Sequence, residues 1–189
     1  MQHFDYVIAG AGIIGLTIAF ELIKKKPNAK ISIIEKENSV GKHASGRNSG
    51  VLHTGIYYPP NTLKSKFCKN GSEKMYQFAI ENNIDVKRNG KVIVATSEAQ
   101  KNNLQHLLFN AKSNNISAVS LDSEQINKIE PNAFSDFGGI FCKDTAVINS
   151  KQTLDILVKK LLKRKITFFM GSEVENIEQP NKIINLKNN

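Results

Sequence analysis

The stretch that decides the fold is Asp5-Tyr6-Val7-Ile8-Ala9-Gly10-Ala11-Gly12-Ile13-Ile14-Gly15, which is followed twenty positions later by an acid, Glu35. Its pattern predicts a short buried strand over 5–9, a glycine turn, a helix over 16–26 and a second strand over 30–35. A strand, a helix and a second strand within about 30 residues form a βαβ unit, whose two strands are parallel. The predicted fold class is therefore α/β.

The glycines of the turn, Gly10, Gly12 and Gly15, have the Gly-x-Gly-x-x-Gly spacing of dinucleotide-binding turns. The first permits the tight turn, the second lets the backbone approach a pyrophosphate, and the third packs the helix against the strand. Free N–H groups at the helix N-terminus attract the anion. At the end of the second strand, Glu35 can accept hydrogen bonds from ribose hydroxyls, and its charge disfavours the 2′-phosphate of NADP. The motif predicts adenine-dinucleotide binding and leaves NAD and FAD open.

The composition excludes several other classes of protein. Of the 189 residues, 40% are hydrophobic, which is enough for a sizeable core and excludes a disordered chain. The two cysteines, Cys68 and Cys142, are too few and too far apart for a disulfide scaffold or a zinc ribbon. No pair of histidines has ligand spacing with an acid, so no metal site is predicted. The net charge of +9 comes mostly from scattered lysines, without tryptophan, so we predict no nucleic-acid binding.

The sequence pattern also bears on location and on the remaining elements. No apolar run approaches the roughly 18 residues of a membrane span, and no basic segment precedes the first apolar stretch, so a cytoplasmic location is predicted. A long loop without periodicity, 36–60, is polar but contains apolar and aromatic residues, which favours an ordered, functional loop. A capping box is predicted at Ser97–Gln100. Helices are predicted over 62–83, 98–114, 122–131 and 150–164, and strands over 91–95, 139–142, 166–170, 173–178 and 182–186.

The loop contains the signature Arg47-Asn48-Ser49-Gly50-Val51 followed by His53-Thr54-Gly55-Ile56-Tyr57-Tyr58. Together with segments 63–68 and 90–96, it resembles the L-2-hydroxyglutarate oxidase/dehydrogenase family of the FAD-dependent D-amino-acid oxidase-like superfamily. The resemblance implies a Rossmann-like FAD-binding domain with part of a mixed α+β substrate domain inserted. We expect the discontinuous, incomplete FAD-binding domain at 1–85 and 145–189, and the partial substrate domain at 86–144.

The resemblance implies FAD as the cofactor and a small 2-hydroxy acid as the substrate. The implied reaction is oxidation of L-2-hydroxyglutarate to 2-oxoglutarate, with hydride transfer to flavin N5. His53 is the candidate base, and Arg47 is the candidate partner of a reduced flavin or a substrate carboxylate. For both, a scaffold role stays open: His53 as a buried hydrogen-bonded residue, Arg47 as a surface residue or structural ion pair. The predicted cofactor contacts are Gly10, Gly12, Ile14, Gly15, Glu35, Lys36, Ser45, Asn48, Ser49, Gly50 and, through its backbone at the adenine, Val174.

Two departures from the family pattern set the expectations for activity. The segment Thr145-Ala146-Val147-Ile148-Asn149-Ser150-Lys151 lacks the Gly, Asp and His of the family's Thr-Gly-Ile-Val/Ile-Asp-Ser/Pro-His, and the chain has about half the length of a family member. We therefore expect a truncated, poorly soluble flavoprotein portion that is active only with a complementing C-terminal chain. The alternatives are a non-catalytic remnant, one chain of a split flavoenzyme, or an NAD-dependent dehydrogenase. If a membrane quinone reoxidises the flavin, the cytoplasmic protein would contact the inner membrane peripherally.

Overall fold

The computed structural model describes residues 2–187 and divides the chain into two compact units. The first unit contains the residues up to Asn48 and those from Ser150 onward, and the second contains residues 49–149. The units therefore change at 48/49 and 149/150, whereas the expected domains changed at 85/86 and 144/145. The assignment of FAD binding and substrate binding to separate domains stays a prediction.

The secondary-structure elements follow in chain order along residues 2–187. They are β1 (Tyr6–Ala9), α1 (Ile13–Lys25), β2 (Ile31–Ile34), a 3₁₀ turn (Ala44–Gly46), β3 (Val51–Leu52), α2 (Leu63–Glu81), β4 (Val86–Lys87), β5 (Lys91–Val94), α3 (Glu98–Ser113), β6 (Ala118–Leu121), α4 (Ser123–Ile129), β7 (Gly139–Cys142), β8 (Ala146–Ile148), α5 (Ser150–Lys163), β9 (Thr167–Phe169), β10 (Val174–Glu178) and β11 (Ile183–Leu186).

Within its described residues, the first unit contains a parallel sheet in the order β1-β2-β9. Tyr6 pairs with Ile31 at one end of the βαβ unit, and Ala9 pairs with Ile34 at the other. The predicted βαβ unit is thus confirmed, and a second parallel strand is added on the far side of β2. The β10–β11 hairpin is antiparallel, with a bulge between Val174 and Asn176.

Helix α1 packs against α5 and buries Leu16 and Ala19. Ile14 and Ile18, which lie one turn apart, are 73% and 50% exposed. Helix α1 also contacts β1 and β2. Its Ile14–Ile18 stripe is therefore an apolar surface that these elements leave exposed among residues 2–187.

The glycine turn between β1 and α1 depends on the absence of side chains. Gly10 has a φ of +102°, a backbone conformation that residues with a Cβ rarely adopt. A Cβ at Gly15 would collide with the carbonyl oxygen of Gly10, so only glycine allows the first turn of α1 to lie against the end of β1. Helix α1 begins at Ile13, three residues before the predicted start, because Gly12 and not a later residue is its N-cap.

Residues 49–149 form two antiparallel sheets, β3-β8-β4 and β5-β7-β6. The second sheet packs with α3 around a core that contains Ile56, Leu107, Ile140 and Cys142. The predicted elements over 62–83, 91–95, 98–114 and 139–142 are confirmed to within two residues at their ends. Strands β3, β4, β6 and β8 were not predicted. The first, second and fourth of these have only two or three residues and lie in no longer apolar run, and β6, Ala-Val-Ser-Leu, does not alternate.

The helix N-termini of this unit follow their capping residues. Asp122 and Gln125 form a complete capping box, in which each side chain accepts from the other's backbone N–H. The box predicted at Ser97 forms only in part. Ser97 Oγ accepts from the Gln100 N–H at 3.3 Å, whereas Gln100 Oε1 accepts from Thr96 N at 2.8 Å and not from Ser97.

We predict that Gly15→Ala lowers the free energy of unfolding by about 1–3 kcal/mol, the usual penalty of overpacking, because the new Cβ meets backbone. Urea denaturation followed by circular dichroism measures the change. Gly71→Ala is the matched control, since Gly71 lies within α2 with no atom within 4 Å of its would-be Cβ. That substitution should raise the free energy of unfolding by up to about 1 kcal/mol. Equal effects of the two would contradict the steric argument.

Candidate functional site

The N-terminus of α1 is the first part of the candidate site. Gly10 N donates to Ile34 O at 2.7 Å, which fixes the turn at the carboxyl end of the sheet. Gly12 caps the helix without a side-chain hydrogen bond, and Ile13 N donates to Ser45 Oγ at 3.0 Å. A Cβ on Gly12 would lie 2.9 Å from that hydroxyl oxygen. The helix N-terminus is therefore approached closely by a hydroxyl from the loop, with no side chain of the turn between them.

Glu35 lies against the same turn. It is only 8% exposed, and its Oε2 accepts from Ala11 N at 2.7 Å while its Oε1 accepts from Glu37 N at 3.0 Å. Each carboxylate oxygen can accept more than one hydrogen bond, so acceptor capacity remains on both. The structure thus brings together the glycines, Glu35 and Ser45, three features that the sequence placed up to 35 residues apart.

Asn48 braces the 3₁₀ turn of the loop. Its Nδ2 donates to Ala44 O at 3.0 Å and to Ser45 O at 2.9 Å, and its Oδ1 accepts from Ser150 Oγ at 2.7 Å. These bonds connect the turn to the first residue of α5. The side chain that was predicted to contact the cofactor therefore has a positioning role for Ser45 in this arrangement.

The other predicted cofactor contacts of the first unit are more exposed. Ile14 and Lys36 are exposed, and so is Arg47, which makes no ion pair within residues 2–187. Val174 is half-buried at the start of β10, opposite Leu186. Along residues 2–187, no hydrogen bond joins the side chain of Lys36 or Arg47 to the glycine turn, and the apolar side chains of Ile14 and Val174 can form none.

Residues 49–55 belong to the second unit. Ser49 is exposed, whereas Gly50 is buried with a φ of +69° and accepts from Ile148 N at 2.9 Å. A Cβ on Gly50 would collide with the carbonyl oxygen of Ile148. The close approach of the loop to β8 is therefore sufficient to explain this glycine.

His53 is exposed, and its backbone carbonyl accepts from Cys68 Sγ at 3.1 Å. The alternative of a buried scaffold histidine does not match this placement. Partial desolvation and, secondarily, the nearby Lys91 ammonium lower the pKa of His53 below its ordinary value of 6.5. The imidazole is therefore neutral at pH 7 and is able to accept a proton.

Tyr57 and Lys91, which the sequence did not assign to the site, contact each other, and the Lys91 ammonium acts electrostatically on His53. Lys91 Nζ donates to Tyr57 Oη at 3.2 Å and lies 4.5 Å from the centre of the Tyr57 ring. Ile56, which is 1% exposed in the core, anchors the loop segment that presents Tyr57. Tyr57 lies within the quoted segment 53–58 and Lys91 within segment 90–96, but no spacing rule connects positions 57 and 91 before the fold is known.

Residues 2–187 contain neither a candidate metal cluster nor a candidate membrane span. Among residues 2–187, no group of three or more His, Cys, Asp or Glu side chains is placed to hold a metal ion. No helix in that same part of the chain is both long enough and apolar enough to cross a bilayer.

Comparison with known proteins identifies relatives along nearly the whole chain. The family model described as FAD dependent oxidoreductase (DAO) matches residues 5–188. An L-2-hydroxyglutarate dehydrogenase of Escherichia coli (strain UMN026) is 34% identical over 176 residues, which cover 93% of this chain and 42% of that protein. The mitochondrial L-2-hydroxyglutarate dehydrogenase of Dictyostelium discoideum is 39% identical over 79% of this chain and 34% of its own length. The resemblance recognised from the loop is confirmed.

Solved structures confirm the α/β fold class. The FAD-bound L-alpha-glycerophosphate oxidase of Mycoplasma pneumoniae has a TM-score of 0.86 and 25% identity, covering 98% of this chain and 50% of that one. Glycine oxidase of Geobacillus kaustophilus has the same TM-score at 19% identity, covering 98% of this chain and 51% of its own, and shows the fold alone. The chain spans less than half the length of the curated relatives named above.

We predict that the His53 imidazole titrates below pH 6.5 and that Lys91→Gln raises its pKa without restoring it fully. Removing the ammonium removes the like-charge repulsion of imidazolium, whereas the larger effect of desolvation stays. NMR of the imidazole protons against pH measures the midpoint. Lys87→Gln, which removes a lysine of β4 that does not perturb His53, should leave the midpoint unchanged. An unchanged midpoint in Lys91→Gln would show that the two groups are not close.

Proposed function

This chain belongs to the FAD dependent oxidoreductase (DAO) family, and we propose that it supplies the FAD-binding part of an enzyme that oxidises a small 2-hydroxy acid. The proposed substrate is L-2-hydroxyglutarate, which would be oxidised to 2-oxoglutarate, because the E. coli and D. discoideum relatives are named for that acid. The chain covers 42% of the E. coli relative, so the activity is proposed for a complete enzyme that includes a complementing C-terminal chain.

The observation that carries the proposal is the position of the Glu35 carboxylate on the glycine turn. Two backbone N–H groups hold it there, at 2.7 Å and 3.0 Å, with one bond to each oxygen. The remaining lone pairs suit the two hydroxyls of an adenosine ribose, which donate to an acid at the end of the second strand of such folds. The negative charge also favours a free 2′-hydroxyl over a 2′-phosphate, which fits FAD.

The N-terminus of α1 fits the pyrophosphate of the same cofactor. The missing Cβ of Gly12 leaves the backbone open, and the first N–H groups of the helix have no partners within the helix. Ser45 Oγ now accepts from Ile13 N, and a hydroxyl can also donate to a phosphate oxygen. We assign Ser45 to the pyrophosphate, with Asn48 holding the turn that positions it.

FAD, when bound, supplies the acceptor for the hydride that leaves the substrate carbon. The contribution of this chain to that step is a base. His53 is neutral at pH 7 because its pKa is lowered, and a neutral imidazole can take the proton of the substrate hydroxyl. Arg47 is exposed and has no ion-pair partner within residues 2–187, so we assign it to the negative charge of the substrate or the reduced cofactor.

We predict that the chain retains FAD after desalting and that Glu35→Gln weakens FAD binding about tenfold, as expected for the loss of a charge-assisted hydrogen bond. Gly12→Val should abolish binding, since its side chain would fill the approach to the helix N-terminus. Quenching of flavin fluorescence measures the dissociation constant. Glu21→Gln is the matched control, because Glu21 is an exposed acid of α1 paired with Lys24.

NAD is the competing ligand in the same titration. Displacement of FAD by equimolar NAD would contradict the flavin assignment and would favour the NAD-dependent dehydrogenase. An equal loss of affinity in Glu21→Gln and Glu35→Gln would contradict the assignment of the ribose to Glu35.

We predict negligible oxidation of L-2-hydroxyglutarate by the 189 residues alone, even with FAD added. Hydride transfer needs a substrate held in near-attack geometry and shielded from water, and both His53 and Tyr57 are exposed here. Reduction of a dye at saturating FAD and substrate measures turnover. Turnover of about one per second, within the range of working enzymes, would contradict the prediction. Coexpression with a complementing C-terminal chain should restore activity.

A further inference from the structure

Lys91 is a cation for which residues 2–187 supply no acidic partner. Lys91 is the first residue of β5 and is half-buried as a whole residue. Among residues 2–187, no acid lies within ion-pair distance of its ammonium. By contrast, the ammonium groups of Lys24, Lys101 and Lys128 lie on exposed helix faces beside glutamates. An ammonium that no acid neutralises attracts an anion, with which it can form a charge-assisted hydrogen bond.

The backbone on either side fixes the position of Lys91. Gly90 has a φ of +76°, and a Cβ at that residue would collide with the ring of Phe141. Lys91 itself pairs with Cys142 across the β5–β7 ladder. The backbone position of Lys91 is therefore fixed by its strand pairing. A lysine on a flexible loop would have no such constraint.

Tyr57 holds the other end of the side chain. Its hydroxyl accepts from the ammonium at 3.2 Å, and its ring lies 4.5 Å from the nitrogen, within the range of a cation–π contact. Tyr57 follows Ile56, which is buried in the core of the second unit. An ammonium has three donors, and only one of them is used by Tyr57. The remaining donors are available to an oxygen acceptor.

The groups near this ammonium are a histidine, two cysteines and one acid, Asp144. The Lys91 ammonium lowers the pKa of His53, Cys68 and Cys142. Burial raises the pKa of both cysteine thiols by more, so that the net shift of each thiol is upward. At pH 7 the imidazole and the thiols are therefore uncharged. Asp144, which acts on Cys142, accepts from Ser117 N at 2.9 Å. The corner formed by His53, Tyr57 and Lys91, named here the cationic corner, thus carries a net positive charge.

We propose that Lys91 binds a carboxylate of the acid substrate and that Tyr57 is a positioning residue for its ammonium. The cationic corner joins a charged donor, an aromatic wall and the candidate base His53 in one unit of the chain. Ammonium–carboxylate hydrogen bonds are among the stronger ones in proteins, so this pair would select an anionic substrate over a neutral one. The identity of the acid rests on the proposed function, whereas the binding of a carboxylate by Lys91 does not.

The test is a titration of the 189-residue chain with 2-oxoglutarate at constant ionic strength, followed by the NMR signals of His53. Binding should shift these signals and raise the pKa of His53, because a carboxylate beside it favours the imidazolium form. Lys91→Gln should weaken binding about tenfold, whereas Lys91→Arg, which keeps the charge, should stay within a few-fold of the parent. Tyr57→Phe should weaken binding by a smaller factor. Lys87→Gln is the control and should bind as the parent chain does.

The outcomes separate this proposal from the proposed function. Unchanged binding in Lys91→Gln, or an equal shift of His53 by the neutral glutaramide or by sodium chloride, would overturn the carboxylate site. Lys91→Met, which keeps most of the aliphatic stem, serves as the charge-free variant if Lys91→Gln fails to fold by circular dichroism. FAD is titrated into the same samples. If the parent chain binds 2-oxoglutarate as expected but does not bind FAD, the flavin proposal is overturned and the carboxylate site is retained.

Discussion

The hydrogen bond between the Glu35 carboxylate and the backbone N–H of Ala11 joins the residue that follows β2 to the turn that follows β1. A carboxylate that is 8% exposed needs such partners, since burying an unpaired charge is strongly unfavourable. With this bond in place, the end of β2 lies beside the glycine turn. The loop that follows then returns to the same turn, where Ser45 Oγ meets the first N–H of α1. Every contact that we assign to the dinucleotide depends on this junction.

The second unit differs from the first in that its apolar core holds exposed polar groups in fixed positions. Ile56 is inserted into the apolar core, whereas Tyr57, which follows it in the chain, is exposed. Gly90 starts β5 in a conformation that few other residues adopt, and thereby places Lys91 beside Tyr57. A rigid core thus presents an imidazole, a phenol and an ammonium together. Charged and polar groups that are fixed in advance bind ligands without a further ordering penalty.

The sequence predicted the parts of the fold that depend on local pattern. The Gly10–Gly15 turn, the parallel pairing of β1 with β2 and the long helices follow from glycine spacing and hydrophobic period, and the structure confirms them. The short strands β3 and β8 were not predicted, because they form only through long-range pairing, β3 with β8 and β8 with β4. For the same reason, residues 49–85 lie in the second unit, although they follow the dinucleotide motif in the chain. The contact of Lys91 with Tyr57 joins positions 34 residues apart, and no sequence period encodes it.

The central claim is that the glycine turn and Glu35 hold the adenosine ribose of FAD. A crystal structure of the chain with FAD tests it most directly. The account predicts a ribose hydroxyl within about 2.5–3.0 Å of a Glu35 carboxylate oxygen, the ordinary range for such a bond, and the pyrophosphate at the N-terminus of α1. A ribose bound elsewhere, with the Glu35 carboxylate still bonded only to Ala11 and Glu37, would contradict it.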